Sequence, residues 1–333
     1  MKAAPDRELA HAVALLRAGE LVAFPTETVY GLGADASNSA AVAKIFTAKG
    51  RPADHPLIVH LANAAALDAW AREVPDSARE LAAAFWPGPL TMILKRQPHV
   101  LDAVTGGQDT VGLRVPNHPL ALALLHAFDG GQFSGLAAPS ANRYGRISPT
   151  SAAHVRAELG AAVPLVLDGG ACAVGIESTI VDLSRAVPVV LRPGAISAAD
   201  IARVLGETPR KHADAAAPRV SGSLAAHYAP HTPLRLVPGD ALVNAVNTAL
   251  AAGLRLAVLA HTAPRIAAPG LTWHAAANDA ASYAHDLYAR LRTLDAAPGE
   301  LILIETPPAT TEWQAITDRL QRAACGSGEN DET

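Results

Sequence analysis

Four short segments of this 333-residue chain concentrate the side chains that could do chemistry. The first, Pro25-Thr26-Glu27-Thr28-Val29-Tyr30-Gly31-Leu32-Gly33, follows an apolar run and reads as a loop. Its glycines suit backbone positions of positive φ. Two threonines, a glutamate and a tyrosine are more than a tight turn needs, and polar loops on a rigid scaffold commonly carry function. In the second, Lys49 and Arg51 straddle a glycine at a helix end, with His55 and His60 following. Cations there complement the helix dipole, and a fixed guanidinium beside an ammonium also makes an anion clamp suited to polyphosphate. The third, Pro139 to Thr150, places Ser140 and Asn142 directly after a small-residue strand. These groups could hold an adenine, a ribose or a phosphate, while Ser148 or Thr150 could cap the following helix. The fourth runs from Gly175 to Asp182 and is followed by Leu191-Arg192-Pro193-Gly194. A guanidinium ending an apolar strand is costly unless it emerges at an edge or meets an anion.

The elements that must position these segments alternate. Helical spacing covers 7–19, 39–49, 118–127, 150–159 and 197–205. Short apolar runs at 21–24, 57–61, 90–94, 110–115, 135–138, 164–167, 179–183 and 187–191 predict buried strands. That mixture predicts an α/β first domain over 1–205. Residues 206–231 are rich in Pro, Gly, Ser and Ala and read as a linker. Beyond it, strands at 234–237, 255–260 and 301–305 alternate with helices at 240–252, 279–294 and 311–323. This predicts a smaller Rossmann-like α/β domain over 232–325, followed by a polar, disordered tail over 326–333.

Composition excludes several classes. A net charge of −4 and 4% aromatics do not describe a protein that coats nucleic acid. Cys172 and Cys325 are too few for a disulfide framework or a cysteine zinc site. With no signal peptide and no membrane-length apolar run, a soluble cytoplasmic protein is expected. There is no GxxxxGK[ST] loop, GxSxG elbow or HExxH helix. His227 and His231 have i,i+4 spacing, but Pro230 intervenes and no third zinc ligand is near.

Taken together, the segments resemble the YrdC/TsaC family of threonylcarbamoyl-AMP synthases in its long two-domain form. The matching pieces are PTETVYGLG, KGRPADHPLIVH, TVGLRVPNHP, PSANRYGRISPT, GIESTIVDL and LRPGAIS, in order over residues 25–197, with HYAP at 227–230. The stretch before HYAP reads SGSLAA, whereas some family members are more basic there. The resemblance implies a YrdC-like mixed, twisted-sheet domain and a nucleotidyltransferase joining L-threonine, bicarbonate and ATP into threonylcarbamoyl-AMP and pyrophosphate. The product would serve tRNA modification next to the anticodon, so that tRNA is met indirectly, through handover to a threonylcarbamoyl-transferase complex. Lys49 and Arg51 would be catalytic. ATP would be held by Lys49, Arg51, His55, Thr110, Ser140, Asn142, Ser148 and Arg192, with Tyr228 reaching back from the linker as a lid. Threonine would be held by Thr28, Tyr30, His60, Arg114, Ala138 and Ser178. Magnesium is expected with ATP, its ligands unassigned. Two other readings of the same module are a non-catalytic RNA-binding domain and a carbamoyl-adenylate-forming carbamoyltransferase; the missing CxxC pairs argue against the latter.

Overall fold

The computed structural model describes residues 4–130, 133–210, 217–222 and 224–327. They belong to two compact units. The first comprises Met1–Tyr144, Pro149–Ala173 and Glu177–Ser223; the second comprises Gly145–Ser148, Val174–Ile176 and Leu224–Thr333. The expected linker, residues 206–231, is divided between them. Its described residues up to 222 go with the first unit, and HYAP goes with the second. Two residues placed in the expected disordered tail are ordered: Gly326 ends the helix Gln314–Gly326, and Ser327 Oγ accepts from Leu234 N at 2.8 Å. Residues 328–333 lie outside the described residues.

Among the described residues, nine strands build the sheet of the first unit. In chain order they are β1 (Val22–Phe24), β2 (Gly31–Asp35), β3 (Ile58–His60), β4 (Leu90–Lys95), β5 (Thr110–Arg114), β6 (Leu136–Ala137), β7 (Leu165–Val166), β8 (Thr179–Asp182) and β9 (Val189–Arg192). Their spatial order is β7-β1-β2-β6-β3-β5-β4-β8-β9, with parallel and antiparallel pairs mixed. Among the described residues, two large apolar clusters make most of its core, one including Ile45, Trp70, Leu81 and Leu90, the other including Leu16, Phe24, Leu124 and Leu136.

The end of the first loop segment proves to be β2. Its glycines signal a turn in sequence but serve close packing here. A Cβ on Gly33 would stand 2.7 Å from Phe24 Cε1, so only glycine lets β2 lie against that ring. The helix Asp76–Phe85 and a strand at 271–275 were not expected either. The first has four alanines in ten residues, with Leu81 and Phe85 its only large apolar side chains, and the second is a single short run around Trp273.

In the second unit, β10 (Leu234–Val237), β11 (Leu256–Ala260), β12 (Leu271–Ala275) and β13 (Leu301–Glu305) form an all-parallel sheet in the order β10-β13-β11-β12. Parallel pairing requires crossover connections, which the helices Gly239–Ala251 and Ala280–Ala296 supply.

Candidate active site

The site is built along β3 and β5, central neighbours in the first sheet. Their parallel register sets His60 opposite Arg114 at one end and Ile58 opposite Gly112 nearer the other. Thr110 and Arg114, at opposite ends of β5, are about 13 Å apart along an extended strand. The two expected subsites therefore occupy the two ends of one strand.

At the Arg114 end every polar group is buried. Arg114 Nε donates to Gly88 O at 3.2 Å, Nη1 donates to Thr28 Oγ1 at 3.0 Å, and Nη2 lies 2.7 Å from Glu27 Oε2. The Thr26 hydroxyl is fully engaged within its own loop. Thr26 Oγ1 donates to Val29 O at 2.7 Å and has no second proton. Thr26 Oγ1 also accepts from Thr28 N and Val29 N, both at 3.2 Å, which occupies its two lone pairs. Thr28 Oγ1, 2.9 Å from Thr26 Oγ1, accepts from Arg114 and has a proton and a lone pair to offer a ligand. His60 is neutral: burial, and then the charge of Arg114, hold its pKa down to about 3. Its Nδ1 has no hydrogen-bond partner among the described residues. Ser178 Oγ shares a 2.8 Å hydrogen bond with Thr91 Oγ1. Ala138 N donates to Ile58 O at 3.0 Å, so only its carbonyl is left for a ligand.

At the Thr110 end two guanidiniums converge. Arg51 Nη2 donates to Ser221 Oγ at 3.1 Å, and Arg192 Nη1 donates to Ser221 O at 2.8 Å. Arg192 Nε and Nη2 also donate to Ser178 O at 3.1 and 3.0 Å, which joins the two ends of the site. Thr110, Gly112, Ile58, Ile93 and Val220 line the opening beside Ser221. Lys49 follows from local structure. Asn38 caps the helix Ser39–Lys49 through Ala40 N and Ala41 N, and Gly50 closes it in the left-handed region at φ 61°. The buried Lys49 ammonium then donates to Ser140 O and Asn142 O, both at 2.6 Å. Burial, with Arg51 adding, sets its pKa well below the ordinary lysine value.

Two family models match the chain. The model described as telomere recombination (Sua5/YciO/YrdC) covers residues 14–194, and the one described as the threonylcarbamoyl-AMP synthase C-terminal domain covers residues 196–325. A threonylcarbamoyl-AMP synthase of Bacillus subtilis is 40% identical over 96% of this chain and 94% of its own. The chain belongs to the YrdC/Sua5 family in its long, two-domain form. A Pyrococcus abyssi threonylcarbamoyl-AMP synthase is 45% identical over 68% of this chain and 67% of its own. The crystal structure of P. abyssi Sua5 complexed with L-threonine superposes with a TM-score of 0.88, at 35% identity, covering 98% of this chain and 97% of that one.

Against the site expected of a YrdC/Sua5 protein, the structure gathers Thr28, His60, Arg114 and Ser178 at one end. Arg51 and Arg192 meet at Ser221, beside Thr110. Ser140 and Asn142 come in through Lys49, and the Asn142 amide donates to Arg143 O at 2.6 Å. His55 stands edge-on to Tyr144, and burial, then the Arg51 charge, lower its pKa. Tyr30 is not brought to the pocket. Its ring is fully buried in the core, and its hydroxyl donates to Gly170 O at 2.7 Å and accepts from Gly169 N at 3.2 Å. Ser148 and Tyr228 belong to the second unit. Tyr228 is no free lid residue there, since its ring is 1% exposed, stacked on Tyr288, with the Arg319 guanidinium 5.3 Å from its centroid. Glu27, Thr91 and Ser221 were missed as site residues. Glu27 stood in the quoted motif, but no spacing rule joins it to Arg114, 87 positions on.

Proposed function

We propose that this chain is an L-threonylcarbamoyladenylate synthase acting on L-threonine, bicarbonate and ATP. The observation that carries the reading is the convergence of Arg51 and Arg192, from different elements, on one point beside Thr110. Two fixed guanidiniums offer a polyphosphate charge-assisted hydrogen bonds, and they stabilise the negative charge that gathers on departing pyrophosphate. The names of the B. subtilis and P. abyssi relatives, and the threonine held by the latter's structure, support the same reading.

The chemistry follows from the residues. Threonine's amine combines with bicarbonate to give a carbamate and water; a carbamate oxygen attacks the α-phosphate of ATP, and pyrophosphate leaves. Arg114 takes the amino acid's carboxylate. Thr28 offers the substrate a buried hydroxyl. Neutral His60 can accept or donate without adding charge. Lys49 acts by holding the 140–142 turn in place beside the phosphate cations. Burial of the Arg114 end keeps water from the labile mixed anhydride.

Among the described residues, no group of three or more His, Cys, Asp or Glu could hold a metal ion. Around Arg51 and Arg192 stand hydroxyls and cations, so magnesium would arrive on ATP's own phosphates, as part of that substrate. No helix among the described residues is long and apolar enough to cross a membrane. Both cysteines are free, in keeping with a reducing cytoplasm, and we place the reaction there. The product passes to a threonylcarbamoyl-transferase that modifies tRNA.

Pyrophosphate release tests the reading. The purified protein with MgATP should release it only when threonine and bicarbonate are both present, and clearly less with serine. Absence of amino-acid-dependent release from folded, ATP-binding protein would reject it.

A further inference from the structure

Glu27 takes no part in the steps above, yet its placement is expensive. The residue is 5% exposed, and beyond the 2.7 Å contact between Oε2 and Arg114 Nη2 neither carboxylate oxygen has a hydrogen-bond partner among the described residues. Removing a carboxylate from water costs several kcal/mol unless a partner repays it. Arg114 alone does not require so costly a neighbour, since an uncharged carbonyl, Gly88 O, already serves its Nε.

The guanidinium has five N–H groups. Gly88 O and Thr28 Oγ1 take two, and Glu27 Oε2 stands 2.7 Å from Nη2 as an ion pair without hydrogen-bond alignment, leaving one N–H on Nη1 and both on Nη2, which include the pair that a bidentate carboxylate requires. We infer that Glu27 is a positioning residue for the amino-acid substrate: it fixes the Arg114 guanidinium in plane and cancels its charge. The pocket then meets a zwitterion with a pre-oriented fork and no net charge. The inference rests on the reading of Arg114 as the carboxylate site.

The test compares the parent with Glu27→Gln and Glu27→Asp. It uses threonine Kd by calorimetry, KM for threonine and for ATP from pyrophosphate release, and thermal midpoints. Glu27→Gln keeps the shape but removes the charge paired with Arg114, and threonine Kd and KM should rise about tenfold or more. The KM for ATP should stay within about twofold, because the ATP cations make no contact with Glu27. Glu27→Asp, with the charge on a shorter arm, should recover part of the loss. Unchanged threonine affinity in folded Glu27→Gln would overturn the inference. An equal fall in both substrate affinities, tracking a lowered midpoint, would also overturn it, making Glu27 a structural counter-ion. The Asp variant decides if the Gln variant does not fold. Calorimetry needs no turnover, so a parent that binds threonine without releasing pyrophosphate fails the synthase reading and leaves this test intact. A parent that binds no threonine fails both.

Discussion

His60 shows how a single residue ties the site to stability. A histidine with pKa near 6.5 in the unfolded chain and about 3 in the folded one binds more protons unfolded at every pH between those values. Its contribution is fully present above pH 6.5 and is lost as pH falls toward 3, by up to about 1.4 kcal/mol per pH unit. Unfolding measured between pH 7 and 4.5 should show that slope, and His60→Asn should flatten it. An identical slope in the variant would place the acid sensitivity elsewhere. The same neutrality predicts that threonine binding changes little from pH 6 to 8 on account of His60. Arg192 makes a second case. It donates to Ser178 O, Ser178 Oγ and Ser221 O through three nitrogens, a fork that one ammonium cannot reproduce. Arg192→Ala should weaken ATP binding about tenfold or more, and Arg192→Lys should not restore it. Titration of MgATP into both variants checks this, and parent-like affinity would remove Arg192 from the nucleotide site.

At the scale of elements, the second unit has an anion-binding nest that it fills itself. The backbone N–H groups of His261, Thr262 and Ala263, just beyond β11, donate to Glu305 Oε2 at 2.7, 2.8 and 3.0 Å, and the Thr262 hydroxyl donates to Oε1. Glu305 ends β13, the neighbour of β11, and Gly239, which opens the helix after β10, lies against the same carboxylate. Parallel α/β folds commonly place ligand phosphates where strand ends meet a helix N-terminus; here the ligand is the chain's own side chain. Burial raises the Glu305 pKa, but these hydrogen bonds outweigh it and hold it below the ordinary value. Its stabilisation is therefore present above the usual glutamate pKa and is lost as pH falls below it. Glu305→Gln should cost about 2–3 kcal/mol and release the amides of 261–263 to fast hydrogen exchange, which mass spectrometry reads directly. Retained protection would assign their protection to the sheet alone. Elements of this kind were largely legible in sequence. The helix at 39–49 and the strands at 234–237 and 301–305 have the bounds their periodicity implies, because caps and apolar runs are local signals. β2 was not legible, since its glycines answer to Phe24 rather than to a turn. The motifs marked the site's segments, but Glu27–Arg114 and Arg192–Ser221 exist only after the chain has folded.

On the scale of the whole molecule, the segment leading from the first unit toward the second is held by named contacts. Arg219 N donates to Gln108 Oε1 at 2.7 Å and Gln108 Nε2 donates to Arg219 O at 3.1 Å, so one side-chain amide grips a backbone unit from both sides. The Arg219 guanidinium adds exposed contacts to Asp54 and Gly106 O. Val220 packs on Ile93 and Ile180, and Ser221 meets Arg51 and Arg192. The tie is thus a polar grip, a small apolar anchor and a seat on the phosphate cations. The exposed ion pair contributes little, which leaves the amide grip as the part of the polar hold most open to substitution. Gln108→Ala removes two hydrogen bonds of roughly 1 kcal/mol each, so the open form should become about ten to thirty times more populated. Trypsin cleaves after arginine and needs the local chain extended and free. Cleavage of the Arg219–Val220 bond in the folded variant should accelerate by that factor, as followed by peptide mapping at protease levels where opening and closing outpace cutting. A rate equal to the parent's would shift the hold to Val220, and Val220→Ala should then produce the acceleration that Gln108→Ala did not.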